Sequence, residues 1–198
     1  MLFVGLTGGL GSGKSEALAA CERLGAPTLS SDAVVHELLG TAEVRDLLRA
    51  RWGDSVVTGD EVDRAAVASI VFERPEELAW LESELFPRVG MRTAAWRAEL
   101  ERRDPPPEIA VVEVPLLFEA GREGFFDATI AVVADEQLRE ERASARGHEG
   151  VAGREGRQLS QDEKAARADY VIRNDGSLAD LEGTVGAVLD QLRATVSG

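Results

Sequence analysis

The segment Gly8-Gly9-Leu10-Gly11-Ser12-Gly13-Lys14-Ser15 fits G-x-x-x-x-G-K-[ST] and follows directly on the apolar run Leu2-Phe3-Val4-Gly5-Leu6. Its glycines let the backbone turn tightly enough for successive N–H groups to point at one anion. Lys14 reaches the outer phosphates and the Ser15 hydroxyl can ligate Mg²⁺. The residues that follow, Ser15 to Leu24, carry Leu18, Cys21 and Leu24 at helical spacing and stop at Gly25, a good residue for ending a helix. Strand, glycine-rich loop and helix thus come in the order that seats phosphates on a helix N-terminus.

Composition narrows the class further. The chain has 198 residues, enough for one globular domain with appendages and a sizeable core, and 44% of them are hydrophobic. A net charge of −14 without a basic stripe argues against nucleic acid as a partner. Only two residues are lysine, Lys14 and Lys164, so arginine clusters are the natural contacts for an anionic ligand. The one cysteine, Cys21, falls on the apolar side of the first helix and reads as a small core residue. No basic region precedes the apolar start, and no apolar run approaches the roughly 18 residues of a membrane span. A soluble protein of the reducing cytoplasm is expected, with no membrane or nucleic-acid partner and a monomer favoured.

Further along, Ala26-Pro27-Thr28-Leu29 reads as a second buried strand, and a helix is expected from Ala33 to Leu39. Two roles fit Asp32 between them: a helix cap, or a carboxylate aimed at a ligand at the strand end. Residues 41–103 are helical in pattern, with Ser55-Val56-Val57 as the one strand-like interruption and Trp52, Trp80 and Trp96 as core residues. Such an insertion forms a cap over a site rather than an extension of the sheet. Asp104-Pro105-Pro106-Pro107 breaks the chain before Ile109-Ala110-Val111-Val112-Glu113-Val114, a run suited to a central parallel strand. An acid at the end of such a strand commonly holds a metal or its water, which makes Glu113 a metal candidate.

A fourth strand is expected over Phe126–Val133, with Asp135 capping the next helix. That helix carries Arg139, Arg142 and Arg146, and Gly147, Gly150 and Gly153 follow, with Arg154 and Arg157 beyond. Arginines beside a glycine-rich hinge suit a lid that closes on phosphates. A solvated face paired with Glu140, Glu141 and Glu155 fits the same spacing. His36 and His148 lack metal-ligand spacing and read as surface residues. Ala168–Gly176 reads as a last strand and turn, and Ser177-Leu178-Ala179-Asp180 as a capping box. The final helix then has Leu181, Val185, Val188, Leu189 and Leu192 as its buried stripe.

Taken together, these residues resemble the dephospho-CoA kinases over nearly the whole chain. The pieces are Gly5 to Ser15, Asp32, Asp63-Arg64 with Val71-Phe72, Trp80-Leu81, Phe86-Pro87, Val114-Pro115-Leu116-Leu117-Phe118-Glu119, Arg142, Arg146-Gly147, Gln158, and Ala168-Asp169-Tyr170-Val171-Ile172-Arg173-Asn174. The glycine-rich loop is shared by many kinases. The Pro-Leu-Leu-Phe-Glu segment and the Ala-Asp-x-Val-Ile-x-Asn tail are specific.

The resemblance implies transfer of the γ-phosphoryl group of ATP to the ribose 3′-hydroxyl of dephospho-CoA, the last step of coenzyme A synthesis. It implies an α/β, three-layer P-loop fold of the nucleotide-kinase type, with a mainly parallel sheet, a helical substrate-binding insertion and a lid. In one domain, the core is expected over 1–40, 108–138 and 168–198, the CoA-binding region over 41–107 and the lid over 139–167. Asp32 looks like the general base, and Arg142 and Arg146 look like lid groups meeting transferred charge. Gly11, Ser12, Gly13, Lys14, Ser15 and Glu16 look like the phosphate cradle, Asn174 like part of the adenine pocket, and Ser15 and Glu113 like the Mg²⁺ contacts.

Some positions depart from the family pattern. Ser30 stands where the first acid of an Asp-x-Asp pair is usual, Phe86-Pro87 replaces His-Pro, Glu113 replaces Asp, and Glu16 replaces a frequent Thr. Two other readings share the loop: a P-loop kinase for a nucleoside or nucleotide, and a nucleotide-binding switch. The chain lacks an Asn-Lys-x-Asp tetrad, which disfavours a common GTPase.

Overall fold

A computed structural model of the chain describes residues 1–145 and 158–196. Arg146, Gly147, His148, Gly150, Gly153, Arg154, Glu155 and Arg157 lie outside the described residues. In chain order the elements open with β1 (Leu2–Gly8), α1 (Lys14–Arg23), β2 (Thr28–Ser30), α2 (Ser31–Leu39) and α3 (Ala42–Trp52). Next come β3 (Val57–Thr58), β4 (Glu61–Val62), α4 (Arg64–Glu73), α5 (Pro75–Glu101) and β5 (Ile109–Glu113). The last are β6 (Ala128–Val133), α6 (Glu136–Ala145), α7 (Gln161–Arg167), β7 (Tyr170–Arg173) and α8 (Leu178–Val196). Two compact units result, Met1–Ser30 with Arg97–Gly198, and Ser31–Trp96.

The first unit is built on a five-stranded sheet in the order β2-β5-β1-β6-β7, with every neighbouring pair parallel. All of β5 and β6 is buried, as expected of strands covered on both faces. Alternation along β1 sorts its side chains between two layers. Val4 and Leu6 join a cluster with Ala17, Cys21, Leu181, Val185 and Leu189, so α1 and α8 cover one face. Gly5 faces the other way, where a Cβ would lie 2.9 Å from the Phe126 ring and 3.2 Å from Leu117. Thr7 shares that second face and meets Lys164 of α7. The expected stripe of α8 is buried throughout, and truncating Leu189 there to alanine costs about 2–5 kcal/mol.

Boundaries differ from the sequence pattern in instructive ways. Pairing with β6 carries β1 on to Gly8, opposite Val132, so the strand runs up to the loop itself. Pairing with β5 carries β2 on to Ser30, and α2 begins at the next residue instead of at Ala33. Asp32 therefore sits within the first turn of α2 and not at the cap. The expected caps at the C-terminal end of the chain are present. Asp135 accepts from Gln137 N at 3.0 Å. Ser177 and Asp180 bond reciprocally, with Ser177 N donating to the carboxylate at 2.9 Å and Asp180 N donating to the hydroxyl at 3.2 Å.

The second unit is mostly helical, with β3 and β4 forming a short antiparallel hairpin where Ser55-Val56-Val57 suggested a strand. Val34, Leu38, Val44, Leu48, Val56, Val67, Leu81, Leu85 and Val89 are its buried residues. Thr41 caps α3 and Asp63 caps α4, the latter accepting from Ala65 N and Ala66 N at 3.0 Å. Trp52 and Trp80 pack edge to face at 5.1 Å and are half-buried, like Trp96. His36 is exposed and bonded to Arg64.

Candidate active site

The loop after β1 turns back on itself and delivers the chain to α1. Ser12 N donates to Gly9 O at 3.3 Å, and Lys14 Nζ reaches back across the loop to the same carbonyl at 2.9 Å. Gly13 closes the turn at φ 89°, in the left-handed region, and starts α1 without a side-chain cap. No other residue type fits there: a Cβ would overlap the side-chain amide nitrogen of Asn174. Ser15 and Glu16 follow in the first turn of α1.

Asn174 is the wall of this site. Just past the end of β7, it is 5% exposed, with its backbone N–H bonded to Val133 O at 2.8 Å. Its side chain donates to Ser12 O at 2.9 Å, and its carbonyl accepts from Arg142 at 3.0 Å. The neighbouring arginine, Arg139, donates through Nε to Leu10 O at 2.8 Å while also pairing with Glu136 at 2.7 Å. Each of the two arginines thus holds a backbone carbonyl, Arg139 one of the loop and Arg142 one of its wall. Gly11, Gly13, Glu16, Arg142, Asn174 and Leu178 line a cavity of about 250 Å³. Gly9, Leu10, Arg139, Glu140 and Gln158 border a wider one of about 560 Å³.

Glu113 ends β5, opposite Leu6 of β1 on one side and Ser30 of β2 on the other. It is 6% exposed and accepts from the Ser30 hydroxyl at 3.0 Å. The serine in place of an acid thus holds the longer glutamate by a hydrogen bond. Asp32 is exposed and belongs to the second unit. The structure therefore gathers Gly11, Gly13, Glu16, Arg142 and Asn174 around one cavity. Arg146 lies outside the described residues. Cys21 is fully buried, and burial pushes its thiol up to about 11, consistent with a core role.

A sequence model of dephospho-CoA kinase matches residues 2–180. A dephospho-CoA kinase from Deinococcus radiodurans is 40% identical, over 97% of this chain and 93% of the relative. The chain belongs to the dephospho-CoA kinase family. Among solved structures, a Thermus thermophilus protein superposes with TM-score 0.79 at 37% identity, over 96% of this chain and 97% of that one. The dephospho-CoA kinase of Campylobacter jejuni shares the fold, with TM-score 0.71 at 23% identity over 98% of both chains.

Within this dephospho-CoA kinase family member, the two specific motif segments do structural work beside the loop. Asp169 fastens β7 to β6, its carboxylate accepting from the backbone and hydroxyl of Thr129, both at 2.8 Å. Glu119, closing Pro-Leu-Leu-Phe-Glu, accepts from Leu159 N at 2.9 Å and pairs with Lys164 at 2.8 Å. Lys164 is fully buried. Desolvation pulls its ammonium below the ordinary lysine range, opposed by the hydrogen bond and charge of Glu119. Its one sequence signal was being the second of two lysines in an arginine-rich chain. Gln161 mimics a strand at the end of β6, exchanging bonds of 2.8 and 2.9 Å with the backbone of Ala134.

Proposed function

We propose that the enzyme transfers the γ-phosphoryl group of ATP to the ribose 3′-hydroxyl of dephospho-CoA, releasing ADP and coenzyme A in the last step of coenzyme A synthesis. The observation that carries this assignment is a phosphate-binding loop walled by Asn174 and Arg142 in a chain of this family. Lys14 and the N–H groups from Gly11 to Glu16 hold the phosphates. The Ser12 hydroxyl is buried with no hydrogen-bond partner among the described residues, which leaves a donor for an anion. Asn174 bounds the adenine end.

The donor set fits Mg²⁺. Ser15 offers a hydroxyl and Glu113 a carboxylate, both oxygen ligands of the kind a hard cation takes. No group of three or more His, Cys, Asp or Glu converges among the described residues, and a cation held mainly by phosphates and water needs none. Mg²⁺ bound there would neutralise phosphate charge during transfer.

Transfer forms a bond from the 3′-oxygen to the γ-phosphorus and breaks the bond to the ADP oxygen. Asp32 accepts the hydroxyl proton, and Arg142 and Arg146 meet the charge in flight. Residues 41–107 bind the CoA portion and 139–167 act as the lid. Among the described residues no helix is long and apolar enough to cross a membrane. We place the enzyme in the cytoplasm, where ATP and a reduced Cys21 coexist.

The test is a panel of acceptors incubated with Mg-ATP: dephospho-CoA, shikimate, gluconate, adenosine and AMP. Equal amounts of coenzyme A and ADP should form with dephospho-CoA alone. No coenzyme A, or faster turnover of another acceptor, overturns the assignment.

A further inference from the structure

The buried ammonium of Lys164 lies where two chain segments leave the sheet. It donates to Pro115 O at 2.7 Å, to Glu119 at 2.8 Å and to the Thr7 hydroxyl at 3.4 Å. Thr7 in turn donates to Pro115 O at 3.2 Å, and Val114 N bonds to Leu6 O at 2.8 Å. Thr7 immediately precedes Gly8, where the phosphate loop begins, and Pro115 comes two residues after Glu113. One cation therefore clamps the root of the loop to the root of the segment bearing the metal candidate.

A buried charge is an expensive way to join two loops, since a well-packed apolar side chain often stabilises a core as much or more. Its advantage is geometric: three fixed acceptors set where Thr7 and Pro115 stand relative to one another. Stability alone gives no reason to prefer it.

We infer that Lys164 is a positioning residue for the metal–nucleotide complex, setting the offset between the phosphate loop and Glu113 through Thr7 and Pro115. This rests on the assignment of Ser15 and Glu113 to Mg²⁺. Lys164 touches neither substrate nor metal, so its effect passes through those two segments. Outer partners of metal ligands typically change metal affinity or activity about 10–100-fold when removed.

The experiment compares wild type, Lys164→Met, and Lys164→Met combined with Glu119→Gln. Calorimetry gives ATP affinity with Mg²⁺ and with EDTA, melting curves give stability, and steady-state assays give kcat and KM for dephospho-CoA. Lys164→Met alone leaves the Glu119 carboxylate buried without its cation and should melt well below wild type. Removing both charges should restore much of the melting temperature. In the double variant the gain in ATP affinity from Mg²⁺ should still fall about 10–100-fold, and kcat with it, while KM for dephospho-CoA holds.

A merely structural lysine gives the other result: stability, the Mg²⁺ gain and kcat all recover together in the double variant. That outcome overturns the inference, and the double variant decides it even if the single one does not fold. Wild-type protein whose ATP affinity is the same with Mg²⁺ and with EDTA overturns the metal assignment itself, and the inference with it.

Discussion

The side-chain amide of Asn174 donates to the carbonyl of Ser12 at 2.9 Å, joining residues 162 positions apart in the chain. The bond couples the end of the last strand to the interior of the phosphate loop. Asn174→Ala removes that donor and leaves a buried carbonyl short of a partner, costing about 1–3 kcal/mol. It also opens the wall of the cavity beside Gly13. KM for ATP should rise severalfold while KM for dephospho-CoA stays near wild type. Steady-state kinetics with each substrate varied in turn checks this, and an equal change in both constants would remove Asn174 from the nucleotide end.

Gly13 and Gly25 separate backbone strain from close approach. Both have left-handed φ, at 89° and 87°. A Cβ at Gly25 meets nothing within 4 Å, whereas one at Gly13 overlaps Asn174. Gly25→Ala should cost about 1–3 kcal/mol of stability and leave kcat per folded molecule unchanged. Gly13→Ala should pay the same strain and lose ATP binding as well. Nucleotide titrations beside melting curves distinguish the two, and intact ATP binding in Gly13→Ala counts against the packed-loop geometry.

Much of this arrangement was legible in the sequence because its signals are local. Periodicity marked the buried stripe of α8, and short-range capping chemistry marked Asp135 and the Ser177–Asp180 box. The loop was legible for the same reason, its glycines, lysine and serine being consecutive. What escaped depends on partners distant in sequence. Lys164 meets Thr7 from 157 residues away, and Arg139 meets Leu10 from 129. Spacing on α6 can place arginines on a helix but cannot say that their acceptors are backbone carbonyls of another segment. The end of β2 was misplaced because pairing of Ser30 with Glu113 extends the strand, a tertiary effect with no local signature.

Acid should act on the anchor of α8. The Ser177 hydroxyl and backbone hold the Asp180 carboxyl below its ordinary value of 3.8. A folded-state pKa below the unfolded one gives stability that is fully present above the unfolded value and is lost as pH falls through the folded one. Asp180→Asn should therefore lower the melting temperature near neutral pH and narrow its gap to wild type below pH 3.8. Melting curves from neutral pH downward test this, and a constant gap across the range would show that the carboxyl contributes no pH-dependent stability.

Lys14 folds back to Gly9 O at 2.9 Å, a contact local to the loop. Lys14→Ala should therefore spare the fold and abolish turnover, since it removes the cation built into the cradle. The assay is coenzyme A formation at saturating Mg-ATP, with a melting curve to confirm folding. Wild-type turnover in the variant would overturn the phosphate-loop assignment.

Asp32 lies two residues beyond the end of β2, exposed in the first turn of α2. An acid there gains from the helix dipole, about 0.3–1 kcal/mol, and Asp32→Asn forfeits only a term of that size. If the carboxylate accepts the ribose proton, the same change should slow phosphoryl transfer by about 10²-fold or more, because asparagine keeps the shape and loses the base. The two roles thus predict the same small change in stability and different rates. A dipole partner gives a small melting shift and a normal rate. A general base gives the same small shift and a collapsed kcat while ATP affinity holds. The decisive measurement is single-turnover transfer from Mg-ATP to dephospho-CoA for wild type and Asp32→Asn between pH 5 and 9. Equal rates across that range would exclude Asp32 as the base and leave it the dipole role alone.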